Sequence, residues 1–135
     1  MLRRTIDDDF LPIYKQGEVT DEAHISNIQQ LCDKAKNKYG AILNKGTFRF
    51  GTAQKLLNLY LKYLWCLKEI KTPPHFPVDR RIQTEMKMTI TNWTSLDTSE
   101  AYMAIINAAR AKFIPQFKSL ALMELELFGR SADED

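Results

Sequence analysis

"FGTAQKLLNLYLKYLWCLKEI", residues 50–70, decides the fold. Ala53, Leu56, Leu57, Leu59, Tyr60, Leu61, Tyr63, Leu64, Trp65, Cys66 and Leu67 cover most of the girth of a helix. A helix with so little polar surface has to be surrounded by others, so the spacing predicts a helix over 51–69 at the centre of the molecule. Its polar residues are not scattered. Gln54, Lys55, Asn58 and Lys62 recur at three- and four-residue intervals and form one narrow stripe.

Outward from this rod, "TPPHFPVDRRI" (72–82) is the stop. Pro73 and Pro74 remove donors and restrict the residue before each ring. Pro77 suits the first turn of a short helix over about 77–88, which places Asp79 near its third position. Upstream, "TDEAHISNIQQLCDKAKNKYG" supplies an N-cap Thr20, acids in the first turn, lysines in the last turns and Gly40 as a stop. Its residues Ala23, Ile28, Leu31, Cys32, Ala35 and Tyr39 make one apolar stripe, while His24 carries no functional reading. Residues 1–17, with Pro12 among Phe10, Leu11, Ile13 and Tyr14, read as a short helix or an irregular arm. "AILNKGTFRF" is a connector. Downstream, Asp97 or Thr98 caps a final helix, with Glu100 as capping-box partner, that runs to Phe128 and stops at Gly129. Pro115 within it implies a kink or two helices meeting. The expectation is an all-α, compact, single-domain bundle of about five helices spanning 1–135, with 130–135 as an acidic tail.

Composition agrees. The chain of 135 residues is 44% hydrophobic and 27% charged, with five Gly and five Pro, which argues against disorder and against a turn-rich β fold. No run of 18 apolar residues and no signal-peptide pattern occurs, so the reading is an intracellular, cytoplasmic protein with no membrane association. Cys32 and Cys66 lie in apolar-periodic segments without metal spacing and read as buried thiols; no metal or cofactor motif is present. The net charge of +2 is unevenly spread: 51–95 holds seven Lys/Arg against three Asp/Glu, and 96–135 holds four against seven. A basic middle can bind polyanions by counterion release.

Gly-rich phosphate loops, G-x-S-x-G and H-E-x-x-H are absent. What remains is Lys55 and Asp79. Lys55 sits in the first turn of the apolar helix, where the dipole and apolar neighbours both disfavour its charged form and favour an amine able to attack carbon. Asp79, at the start of the next helix, can orient water or stabilise a developing cation. Arg80 and Arg81 can hold phosphates, Gln54 and Asn58 can position a polar ligand, and His75 stands in the rigid proline loop. Trp93, flanked by Asn and Thr, is a candidate for stacking on bases, whereas Trp65, Tyr60 and Tyr63 read as core. A helix 51–69 is about 28 Å long at ~1.5 Å per residue, so Lys55 and Asp79 meet only if the chain after Ile70 doubles back, extended, at roughly 3.3 Å per residue.

"FGTAQKLLN" followed by "PHFPVDRRI" resembles the core of the helix-hairpin-helix DNA glycosylases, in which a glycine-containing turn enters a helix bearing a catalytic Lys and a short loop leads to an apolar-Val-Asp segment. The resemblance covers about a quarter of the chain and implies catalytic roles for Lys55 and Asp79 and a phosphate contact at Gly51. The family turn has two glycines; here Gly51 stands alone. The same run is similar to an FGxAQKxxN…PPHxPxD motif of uncharacterised bacterial proteins, which implies no activity. Two functions follow as expectations: a small α-helical protein that binds DNA or RNA with a glycosylase-like pair, or a protein-interaction module, a homodimer or subunit of an assembly, resting on the apolar surface of helix 51–69 and of "FIPQFKSLALMELELF".

Overall fold

Short polar residues and prolines place the helix ends, and the computed structural model shows where each takes effect. It describes residues 6–39, 49–86 and 98–127, excepting the side chains of Ile6, Asp8, Lys36–Tyr39 and Arg80. Among them are a π-helical turn, Ile6–Phe10, and six α-helices: α1 (Leu11–Gln16), α2 (Asp21–Tyr39), α3 (Phe50–Cys66), α4 (Arg80–Glu85), α5 (Ser99–Phe113) and α6 (Leu120–Leu127). The protein is all-α. No helix among the described residues is long and apolar enough to cross a membrane.

Buried side chains from every helix join one core built around α3. Leu57, Leu61 and Ala53 of α3 are fully buried, as are Ile28 and Leu31 of α2 and Ile106 of α5. The N-terminal segment is no loose arm. Phe10 and Tyr14 are buried, the Tyr60 hydroxyl donates to Asp7 Oδ1 at 2.6 Å, and the Lys34 ammonium meets Asp9 at 2.6 Å. Pro12 falls in the first turn of α1, where it sacrifices no helical hydrogen bond. At the other end of the chain, α6 is tied to α3 by Lys62, whose Nζ lies 3.0 Å from the buried carboxylate of Glu124.

Several helix ends differ from the sequence expectations. Thr20 caps α2 as expected, accepting from Ala23 N–H at 3.1 Å. The central helix, however, stops at Cys66, before the prolines. Leu67 N–H donates to Tyr63 O, Lys68 N–H to Trp65 O and Glu69 N–H to Leu64 O, which is the wrapped-back closure of a Schellman motif. It puts Lys68 at φ 64°, left-handed backbone that a lysine adopts only at a cost. Lys68→Gly is therefore expected to raise stability by about 1 kcal/mol in urea denaturation. A loss of stability would show the lysine side chain to be more important than its backbone.

The helix expected over 77–88 is shorter, and Pro77 does not open it. Asp79 is the N-cap, with extended φ −140° and ψ −179°, and its Oδ1 accepts from Ile82 N–H at 2.8 Å. Of the two alternatives offered at Pro115, the structure has two helices, α5 and α6, because Pro115 forces Ile114 out of helical geometry to ψ 135°. Thr98 caps α5 through Ala101 N–H at 3.1 Å. Glu100 is then one residue too early for a capping box and serves only as a first-turn acid. Cys32 is buried, but Cys66 is exposed, because it ends α3 on the side facing solvent. Asp97, Gly40, Phe128, Gly129, most of the connector and the acidic tail lie outside the described residues.

Candidate functional site

Half of the polar stripe of α3, Gln54 and Asn58, is turned inward, while Lys55 stays exposed and Lys62 is partly buried. Gln54 and Asn58 are buried while Leu56 and Tyr63 of the same helix are exposed. The reason is the segment after the diproline. It runs extended, back along α3, and brings its own peptide groups into the core, where each needs a partner. Gln54 donates from Nε2 to Val78 O at 2.5 Å and accepts Val78 N–H on Oε1 at 3.1 Å. One turn on, Asn58 donates to Phe76 O at 3.1 Å. Two extended residues advance roughly 6.6 Å and four helical residues about 6 Å, so the two repeats stay in register.

This return brings Lys55 and Asp79 together, with Lys55 Nζ 3.7 Å from Asp79 Oδ2. The carboxylate does two jobs, one oxygen capping α4 and the other facing the lysine. The environment of Lys55 differs from the expectation. Half of its side chain is exposed, so the apolar neighbours do not remove it from water. Arg81 is exposed and pairs with Glu85 at 3.0 Å on the same helix. Gly51 is buried in the first turn of α3. Gln54, Asn58 and His75, expected to meet a ligand, are buried instead and hold protein groups; a nucleic acid does not reach them in this conformation. The side chain of Arg80 and all of Trp93 fall outside the described residues.

His75 and Asn58 belong to a larger system. Asn58 Oδ1 lies 2.7 Å from His24 Nε2, so that nitrogen carries the proton, and His24 Nδ1 accepts from the Tyr14 hydroxyl at 2.6 Å. Tyr14 in turn accepts from Asn27 Nδ2 at 3.0 Å. On the other side Asn58 Nδ2 donates to the Tyr102 hydroxyl at 3.1 Å, and Tyr102 donates to His75 Nδ1 at 2.6 Å. His75 Nε2–H then donates to Asp21 Oδ1 at 2.8 Å, and Arg110 completes Asp21 with two bonds of 3.0 and 3.1 Å. Every donor thus points the same way: Asn27, Tyr14, His24, Asn58, Tyr102, His75, Asp21. Among the described residues no buried side-chain nitrogen or oxygen lacks a partner.

Burial tunes these groups. His24 is pushed down to about 3, by burial first and then by the nearby His75, whose ring lies 4.7 Å away; the Asn58 bond opposes this only in part. Burial also lowers His75, against the opposing pull of Asp21, so the Asp21–His75 contact is a neutral imidazole donating to a carboxylate. Partial burial works to raise Asp21, yet the bonds from Arg110 and His75 outweigh it and hold the carboxyl below its ordinary range. Burial raises the Tyr14 and Tyr102 phenols far above theirs.

The chain of bonds emerges at a groove. Asp21 and Arg110 line a cavity of about 550 Å³ closed by the end of α3, the diproline and the start of α6. The sequence reading missed Asp21, His24, Tyr102 and Arg110. His24 was detectable, since Asp21, His24, Asn27, Ile28 and Leu31 recur at helical spacing and place the ring on the inward face of α2. Among the described residues no cluster of His, Cys, Asp and Glu is arranged to hold a metal ion. No protein-family model, curated protein or solved structure matches the chain.

Proposed function

We propose that the protein binds nucleic acid at the end of α3 where Lys55 meets Asp79. The observation that carries this reading is the 3.7 Å approach of the two side chains, from elements 24 residues apart, on an exposed edge. Arg49, exposed at the N-cap of α3, and Arg81 extend the cationic edge, and Arg80 adds its charge next in sequence. The Arg81–Glu85 pair is exposed, so it holds the guanidinium only weakly against a phosphate. Asp79 positions Lys55 while capping α4. The resemblance to the glycosylase core points to the same pair, as catalytic residues; as a cation on this edge Lys55 can also meet a phosphate.

Fluorescence anisotropy with DNA and RNA oligonucleotides is expected to show binding that weakens steeply with salt. Lys55→Ala and Arg81→Ala each reduce the slope of log K against log salt by about 1, the loss of one phosphate contact. Absence of binding at low salt ends this reading. Borohydride trapping on abasic DNA asks a separate question: an adduct mapped to Lys55 adds amine chemistry to binding.

A second reading, an interaction module, is favoured by one observation. Leu56, Tyr63 and Leu67 are 39%, 58% and 70% exposed and recur on one side of α3 and its cap. It predicts a dimer by light scattering that Tyr63→Lys converts to monomer; a monomeric parent protein counts against self-association.

A further inference from the structure

The groove at Asp21 and Arg110 lies at the opposite end of α3 from Lys55, about 15 Å along the helix from Lys55 to Trp65 at ~1.5 Å per residue. It is independent of the nucleic-acid reading. Its volume of about 550 Å³ is that of a small-molecule site. Arg110 is the polar centre. Asp21 occupies the end of the guanidinium, with Oδ2 on Nη1 and Oδ1 on Nη2, and Asn107 Oδ1 takes a further Nη1–H at 3.3 Å. A guanidinium has five N–H groups in a planar fork. The two that remain, Nε–H and the second Nη2–H, share one edge and have no acceptor among the described residues. That edge has the spacing of a carboxylate.

The surroundings match. Thr20 and Ser119 line the same groove, and each uses its oxygen as acceptor for a helix cap, from Ala23 N–H and Leu122 N–H. Their hydroxyl hydrogens are therefore left to donate outward. Trp65, Pro73 and Leu120 supply an apolar wall for the body of a ligand. In charge, Asp21 is balanced by Arg110 and Glu18 by Lys118, so the lining is formally neutral and an anion gains its contacts from the guanidinium edge and the hydroxyls rather than from net charge.

We infer that this groove binds a small monocarboxylate with a planar apolar body, its carboxylate on the open edge of Arg110 and its ring against Trp65 and Pro73. The probe is 1-naphthoate, with 1-naphthamide as neutral isostere and inorganic phosphate as competing anion, read by NMR at the Arg110 Nε–H and Trp65 indole resonances. Naphthoate is expected to shift both in the millimolar range or below, as suits a fragment of this size. Naphthamide and phosphate are expected to bind at least about tenfold more weakly, and Arg110→Gln to weaken naphthoate by a similar factor. Arg110→Gln also loosens Asp21, so Lys118→Ala, a surface change, is the companion variant and should weaken binding severalfold with unchanged melting. Absence of shifts at Arg110 and Trp65 with naphthoate, or equal binding of the amide, overturns the inference. Equal binding of phosphate replaces a carboxylate site with a general anion site and overturns it too.

Discussion

Asn58→Leu is expected to destabilise the protein by about 4 kcal/mol or more, although leucine fits the same space and sits on the most apolar helix of the chain. Asn58 is 1% exposed and serves His24, Phe76 O, Tyr102 and Gln54. Leucine leaves the His24 N–H and the Phe76 carbonyl buried without partners, and a stranded buried group costs about 1–3 kcal/mol each. It also releases the extended segment from one of its two anchors on α3, so the cost falls on the docking of the proline loop as well. Urea denaturation measures the change. Lys55→Leu, three residues earlier, is the comparison: it removes a half-exposed ion pair and should cost no more than about 1 kcal/mol. If Asn58→Leu matches Lys55→Leu, the inward polar stripe is not what holds the loop.

Acid should weaken the fold well above the range in which carboxylates titrate. His24 has an ordinary value of 6.5 and a folded value of about 3. Below 6.5 the unfolded chain takes up the proton first, so the stability supplied by neutral His24 is complete above 6.5 and is lost progressively as pH falls toward 3. At pH 5 the loss is about 2 kcal/mol from this group, at about 1.4 kcal/mol per pH unit below 6.5. His75, also lowered, adds in the same direction. Asp21 has the same sign in a different window: its contribution is present above 3.8 and declines only below that. Of these three groups, the imidazoles therefore account for the loss between pH 6.5 and 4. Urea denaturation of the parent protein and of His24→Gln, at pH 7, 6 and 5, separates them. Glutamine can donate to Asn58 and accept from Tyr14 without titrating, so the variant should lose less than the parent protein by about the 2 kcal/mol assigned to His24 at pH 5. A parent protein equally stable at pH 7 and 5 would contradict the neutral, buried state of His24.

Both outcomes depend on features of unequal legibility. Local signals in the chain were sufficient for the all-α class, for α3 as its centre, for the Thr20 cap of α2 and for Thr98 as one of two caps offered for α5, because periodicity and capping act over three or four neighbouring residues. Pro115 marked the division between α5 and α6 for the same reason. The early stop of α3 was not legible, since it depends on Lys68 accepting left-handed backbone that lysine does not favour.

The amino-acid sequence by itself determined an all-α chain with a long apolar rod, a proline-braced exit and a Lys–Asp pair that could meet. Only the tertiary structure decided which way the polar stripe faces. Gln54 and Asn58 point inward because the peptide groups of Phe76 and Val78, distant in sequence, are buried against them and must be paired. The same folding-back joined His24, Asn58, Tyr102, His75, Asp21 and Arg110, from four separate segments, into one line of hydrogen bonds. Periodicity reports which side of a helix is apolar; it contains nothing about the unpaired backbone that a distant loop will bring to that side.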